Sequence, residues 1–190
     1  MLRVLIPAAG LGTRTNLNYP KAIHKYKKIP IIVRILKKTY KYDNKPIIVL
    51  NKKNQNQISR VINNYGFEFQ KTIQNKPSGM LDAILTINKI KNIKLSNVIL
   101  IWGDLCNPQR VTINKLLSLH KKYSNDLTIA SIMTNHAYTE IIRKKNNSIK
   151  KILENRNKIK FNKGERDVGI FILNKKYLNY LFKNKKKIYQ

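Results

Sequence analysis

Acidic residues are scarce in this chain. Nine Asp and Glu stand against 39 Lys and Arg in 190 residues, giving a formal net charge of +30. There is one cysteine, Cys106, so no disulfide can close within the chain, and the expected compartment is a reducing cytoplasm. No apolar run approaches membrane-spanning length, which excludes a transmembrane helix. The N-terminus lacks the charged start, apolar core and cleavage site of a signal peptide. Internal repeats and an interdomain linker are also missing, so a single domain over 1–190 is expected. The basic excess does not by itself indicate a nucleic-acid protein. Lysine far outnumbers arginine and is spread with asparagine and isoleucine through every segment, and the densest stretch, Lys183 to Lys187, is a tail. A dedicated nucleic-acid face gathers arginines and stacking aromatics on one side. No membrane and no specific nucleic acid are expected as partners, only weak polyanion binding as a by-product of charge.

What the chain does have is concentrated near its start, in L-I-P-A-A-G-L-G-T-R-T-N-L-N-Y-P-K from Leu5 to Lys21. The apolar run Val4 to Ile6 suits a buried strand, and it breaks into Ala8, Ala9, Gly10 and Gly12. Residues this small let backbone N–H groups approach a phosphate or a base. Arg14 can hold phosphate oxygens with two parallel donors, and Lys21 adds a mobile point charge. Backbone donors, a fork and an ammonium in one short segment suit a triphosphate. Two common phosphate loops are excluded. The dinucleotide fingerprint needs a third glycine, an immediate helix and an acid after the second strand, whereas here Thr13 to Pro20 reads as a loop and the second strand ends at Leu50-Asn51. The Gly-Lys-Ser/Thr of a Walker A loop is absent.

Apolar periodicity then alternates strand and helix. Helices are expected from Pro30 to Tyr40, around Ile58 to Tyr65 with Gly66 as terminator, over Gly79 to Ile90, over Val111 to His120, and from Lys175 towards Lys183. Strands are expected at Ile47 to Leu50, Phe67 to Ile73, Val98 to Trp102 and Leu127 to Met133. Short β segments follow at Tyr138 to Arg143, Ile149 to Leu153 and Val168 to Leu173. The pattern predicts an α/β fold, a three-layer α/β/α sandwich on a mainly parallel, mixed sheet. Residues 1–134 form its nucleotide-binding part and 135–190 a substrate-side elaboration. Asp104 closes the buried strand Ile101-Trp102-Gly103, where ligands of open α/β sheets collect. Such a carboxylate is either a Mg²⁺ ligand, in a shell completed by phosphate oxygens, or a helix-capping turn residue. His24, His120 and His136 show no metal-ligand spacing.

The segment G-x-G-T-R with Pro20-Lys21-Ala22-Ile23-His24 and Lys28-Ile29-Pro30 resembles the opening motif of the sugar-phosphate nucleotidyltransferases, most closely the N-acetylglucosamine-1-phosphate uridylyltransferase branch. The resemblance recurs over most of the chain. It implies a nucleotide-diphospho-sugar transferase-like fold and a Mg²⁺-dependent enzyme that joins a nucleoside triphosphate, UTP first, to a sugar 1-phosphate with release of pyrophosphate. Ala8, Ala9, Gly10, Gly12 and Thr13 would cradle the nucleotide, Arg14 and Lys21 would be catalytic, and Asp104 would hold the metal. Gln74 and Gly79, in Q-N-K-P-S-G, match the pair that reads uracil. Glu154, in I-K-K-I-L-E-N, matches a sugar-hydroxyl acceptor. Asp167, in E-R-D-V-G-I-F-I, stands where the family has Asn and is also assigned to the sugar side.

The sequence departs from that pattern in three places. Met80-Leu81-Asp82 replaces a Thr followed by small or His residues, Thr139 replaces a Gly after the Tyr, and Asp167 replaces Asn. A second metal ligand comes from a later strand in the family. With Gln190 soon after Asp167, a shortened C-terminus is expected, and Asp167 is the candidate stand-in. Cytidylyltransferase and molybdopterin-type guanylyltransferase readings stay open, as does a non-catalytic nucleotide- or nucleic-acid-binding module.

Overall fold

The computed structural model describes residues 1–10, 17–75, 79–135, 139–154 and 163–184. The first strand, β1 (Leu2–Pro7), carries Val4, Leu5 and Ile6 with no exposed surface. Burial of each such side chain contributes roughly 1.5–3 kcal/mol, which makes β1 a natural centre for a sheet. It pairs in parallel with β4 (Ile47–Leu50) on one side and β6 (Asn97–Ile101) on the other, and β5 (Gln70–Ile73) pairs in parallel with β4. Two longer strands, β7 (Leu127–Thr134) and β10 (Gly164–Asn174), complete the order β5-β4-β1-β6-β10-β7.

Alternation along the strands sends side chains to both faces. Leu5, Ile47, Val49, Val98 and Leu100 pack with α3 (Met80–Leu85) and α5 (Lys175–Lys183). The alternate residues Val4, Ile6, Ile48, Leu50, Ile99 and Ile101 are equally buried on the opposite face. Three further helices supply buried apolar residues outside the first cluster: α1 (Ile31–Thr39), α2 (Gln55–Asn64) and α4 (Arg110–Lys122). The α/β/α sandwich expected from the sequence is therefore present. Gly66 ends α2 at φ +72°, as expected of a C′ glycine.

Three expected elements differ from those found, and one hairpin was not expected. The helix over Gly79 to Ile90 is α up to Leu85 and tightens into a 3₁₀ segment, Thr86–Lys89. The strand expected from Phe67 starts at Gln70, where pairing with Ile47 begins; Phe67 instead packs edge-on against Tyr40. The segment after the first loop contains a hairpin, β2 (Lys25–Tyr26) with β3 (Ile29–Pro30), turned by Lys27 and Lys28 at positive φ. Two-residue strands carry no readable period. The last expected strand is much longer, running from Gly164.

The chain forms two compact units, one of Met1–Thr128 with Phe171–Gln190 and one of Ile129–Ile170, and β7 and β10 have residues in both. The second unit contains the antiparallel pair β8 (Thr139–Arg143) and β9 (Ile149–Glu154), with a bulge at Ile142/Arg143. There Arg143 holds Glu165 through two donors, each at 2.6 Å. Those bonds raise the Arg143 pKa and are the largest influence lowering that of Glu165. Among the described residues no helix is long and apolar enough to cross a membrane.

One buried polar contact ties two segments of the first unit together. Arg3 and Asp43, almost fully buried, meet at 2.8 Å, and Asp43 also accepts from the Val4 and Lys45 amides. Arg3 donates to the Lys45 carbonyl at 2.6 Å, so the start of β1 is tied to the segment leading into β4. Removing one partner of a buried pair strands the other charge. Asp43→Ala is therefore expected to cost about 3–5 kcal/mol, measured by urea unfolding. A loss below about 1 kcal/mol, the range of exposed pairs, would show that water replaces the carboxylate.

Candidate functional site

The carboxyl ends of β5, β4, β1 and β6 lie side by side, and each delivers residues of one kind of chemistry. Gln74 follows β5, Asn51 follows β4, Ala8 to Gly10 follow β1, and Gly103-Asp104 follow β6. Parallel strands are spaced by roughly 4.8 Å, so three steps along this edge span about 14 Å.

The backbone after β1 is fixed by hydrogen bonds to its carbonyl groups. Asn51 Nδ2 donates to the Ala9 carbonyl at 2.5 Å and Asn54 Nδ2 to the Ala8 carbonyl at 2.9 Å. The two asparagines also lock each other: the Asn51 amide donates to Asn54 Oδ1, and Asn51 Oδ1 accepts from the Lys53 and Asn54 amides. Both are nearly fully buried. A Cβ placed on Gly10 would meet nothing within 4 Å, so packing inside the described chain does not require glycine there. Gly12, Thr13 and Arg14 lie outside the described residues.

On the β6 side the backbone approach is the constraint. The Gly103 amide donates to the Pro7 carbonyl at 3.0 Å, and a Cβ at Gly103 would sit 2.4 Å from that oxygen. Only glycine lets the turn after β6 lie against the end of β1. The next residue, Asp104, is thereby brought to Lys21, which opens a 3₁₀ turn behind Pro20, and Lys21 Nζ lies 2.9 Å from Asp104 Oδ2. Both side chains are a little under half exposed. Arg34 on α1 secures the following loop by donating to the Cys106 carbonyl at 2.9 Å and to Asn107 Oδ1 at 3.3 Å.

The third group is at β5. Gln74 is nearly fully buried, and its Nε2 donates to the Gly79 carbonyl at 3.1 Å and to Asp82 Oδ2 at 2.9 Å. Gly79 has φ +129°, a conformation that favours glycine. The sequence-predicted pair Gln74 and Gly79 are thus in direct contact, with Asp82, one of the departures, as third member.

In the second unit Asp167 is also buried, and its two oxygens accept from Thr139 Oγ1 at 2.8 Å and from the Gly169 amide at 3.0 Å. Two departures noted separately in the sequence are therefore bonded to each other. Glu154 ends β9; its side chain lies outside the described residues. His24 bonds the Tyr19 hydroxyl through Nδ1 at 2.9 Å. His120 bonds Thr128 at 2.8 Å, and burial lowers its pKa against the opposing charge of Asp126. His136 is outside the described residues.

Among the described residues no three His, Cys, Asp or Glu side chains gather as a metal cage. A lone strand-end carboxylate fits Mg²⁺ only when the ion arrives with its own oxygens, as with a triphosphate, because Mg²⁺ needs one or two protein carboxylates and keeps its remaining positions for phosphate and water. Sequence reasoning missed Asn51 and Asn54, for which an N-x-x-N directly after a strand was the available signal.

Comparison with known proteins matches residues 3–190 to the family model described as Nucleotidyl transferase. The bifunctional protein GlmU of Wigglesworthia glossinidia brevipalpis is 28% identical over 183 residues, 94% of this chain and 39% of that protein. A probable UDP-N-acetylglucosamine pyrophosphorylase of Acanthamoeba polyphaga mimivirus is 32% identical over 136 residues, 69% of this chain and 52% of that protein. The chain thus spans about two fifths of the length of the bacterial relatives it matches. Among solved structures, a UDP-glucose pyrophosphorylase complexed with UDP-glucose superposes with a TM-score of 0.74 at 20% identity, over 95% of this chain and 79% of that one. HddC from Yersinia pseudotuberculosis, complexed with GMP-PN, gives 0.73 at 24% identity, over 93% and 78%. At these identities the structures speak for the fold, and the family model, covering nearly the whole sequence, speaks for descent: the chain belongs to the nucleotidyl transferase family.

Proposed function

We propose that this chain is a Mg²⁺-dependent nucleotidyltransferase that joins a nucleoside triphosphate, UTP first, to a sugar 1-phosphate and releases pyrophosphate. The observation that carries the reading is the contact of Lys21, at the start of the 3₁₀ turn behind Pro20, with Asp104, just after β6. An ammonium and a carboxylate share one exposed point beside a backbone turn made of small residues. An exposed ion pair is worth about 0–1 kcal/mol, so it opens at little cost when a ligand offers each partner something better. A phosphate oxygen is the better partner for Lys21, and a metal-bound triphosphate is the better one for Asp104.

In the reaction a phosphate oxygen of the sugar 1-phosphate attacks the α-phosphorus. The bond from that phosphorus to the bridging oxygen breaks in line, and pyrophosphate leaves with the electron pair. No covalent enzyme intermediate is needed, so the protein contributes position and charge. Lys21 neutralises negative charge on the transferring phosphoryl group and the departing pyrophosphate. Arg14 is assigned the same task. Asp104 would hold Mg²⁺, which when bound would supply positive charge against the phosphate groups. Ala8 to Gly10, set by Asn51 and Asn54, orient the nucleotide, and Gly12 and Thr13 are assigned the same role. Gln74 and Gly79 receive the base; Glu154 and Asp167 serve the sugar. The expected setting is the cytoplasm.

Removing one preorganised donor to a developing phosphoryl charge costs roughly 3–4 kcal/mol of transition-state stabilisation. Lys21→Ala should therefore lower kcat by about two to three orders of magnitude. A change confined to KM would assign Lys21 to ground-state binding alone. In the second unit, Thr139→Val keeps the shape and removes the donor to a buried carboxylate, at an expected cost of about 1.5–3 kcal/mol. Chemical denaturation measures it; no loss would mean that Asp167 is satisfied without the hydroxyl.

A further inference from the structure

The Gln74 amide has a fixed orientation, and its direction follows from the chemistry of its partners. The Gly79 carbonyl can only accept hydrogen bonds, and so can an ionised Asp82. They lie 3.1 and 2.9 Å from the same terminal atom of Gln74, so that atom is the NH₂ group. An amide is planar: with both hydrogens committed on one side, Oε1 faces the other way. Among the described residues Oε1 accepts from no donor, although Gln74 is almost fully buried at the end of β5. Without Asp82 the amide would keep the Gly79 carbonyl but lose the charge-assisted, stronger of its two tethers.

We infer that Asp82 is a specificity-determining positioning residue: by holding the Gln74 amide group it presents Oε1, an acceptor, to the nucleobase. This rests on the reading that Gln74 receives the base. An acceptor at that point takes a base whose ring nitrogen carries a hydrogen, which is true of uracil, thymine and guanine. The corresponding ring nitrogen of cytosine or adenine is itself an acceptor, so two lone pairs would face each other. The site therefore selects keto bases against amino bases. Asp82 does this without touching the nucleotide.

The test is binding of UTP, GTP, CTP and ATP, each with Mg²⁺, to the 190-residue chain and to Asp82→Asn, followed by calorimetry. The native chain is expected to prefer UTP or GTP over CTP and ATP by about tenfold or more, the worth of one hydrogen bond made or refused. In Asp82→Asn the new side-chain NH₂ can donate to a turned Gln74 amide, opposed only by the Gly79 carbonyl, so the preference should fall severalfold while the affinity for CTP rises. A purely structural role would lower all four affinities together. Asp82→Ala, which leaves only the Gly79 carbonyl, should fall between the two and serves if the asparagine variant does not fold. Equal binding of CTP and UTP by the native chain, or an unchanged ratio in both variants, overturns the inference and leaves the transferase reading standing. Failure of the native chain to bind any of the four triphosphates overturns both.

Discussion

The approach of Gly103 to Pro7 is the contact on which the candidate site depends. The β6 turn can lie against the end of β1 only because residue 103 has no side chain; a Cβ would sit 2.4 Å from the Pro7 carbonyl oxygen. Parallel pairing of β1 with β6 aligns the two strand ends, and the amide–carbonyl bond at 3.0 Å closes the last gap. Asp104 and Lys21 then meet although 83 residues separate them. A chain so short of acids places this one at the strand edge where the fold collects ligands. The energy for the arrangement comes from the apolar strands beneath, where Val4, Leu5, Ile6 and Ile99 have no exposed surface.

The same edge solves a problem of unpaired backbone. A chain that leaves a buried strand must find partners for its carbonyl groups or lose the stability that burial brings. After β1 these partners are the amide groups of Asn51 and Asn54, and after β4 the two asparagines satisfy each other. The carbonyls of Ala8 and Ala9 are thereby occupied, and the Ala8 amide donates to the Val49 carbonyl at 2.8 Å, so the backbone leaving β1 is held from both directions. At β5 the chain uses a different device, a buried glutamine held by a carboxylate and a glycine carbonyl.

How much of this was legible depended on the range of the signal. The buried runs Val4 to Ile6, Ile47 to Leu50 and Val98 to Ile101 read as strands because nothing else explains such short apolar segments between turn residues. The fold followed from their alternation with helices. Lys21, Asp104, Gln74 and Gly79 were legible as types of chemistry at motif spacing, and the structure adds which of them touch. The Arg3–Asp43 tie was not legible, since forty residues separate the partners and neither lies in a motif. Asn51 and Asn54 were hidden by the abundance of asparagine. Thr139 and Asp167 were visible only as separate departures; the structure adds the hydrogen bond between them. The hairpin at Lys25–Tyr26 is too short for any period to reveal it.

The central claim is that these residues transfer a nucleotidyl group, and phosphorus NMR of the reaction tests it most directly. The 190-residue chain would be incubated with Mg²⁺ and UTP, together with N-acetylglucosamine 1-phosphate or glucose 1-phosphate. The account predicts pyrophosphate and a nucleotide diphosphosugar appearing in equal amounts, and neither product from Asp104→Asn under the same conditions. Inorganic phosphate with nucleoside diphosphate as the only products, or Asp104→Asn turning over as fast as the native chain, would contradict it.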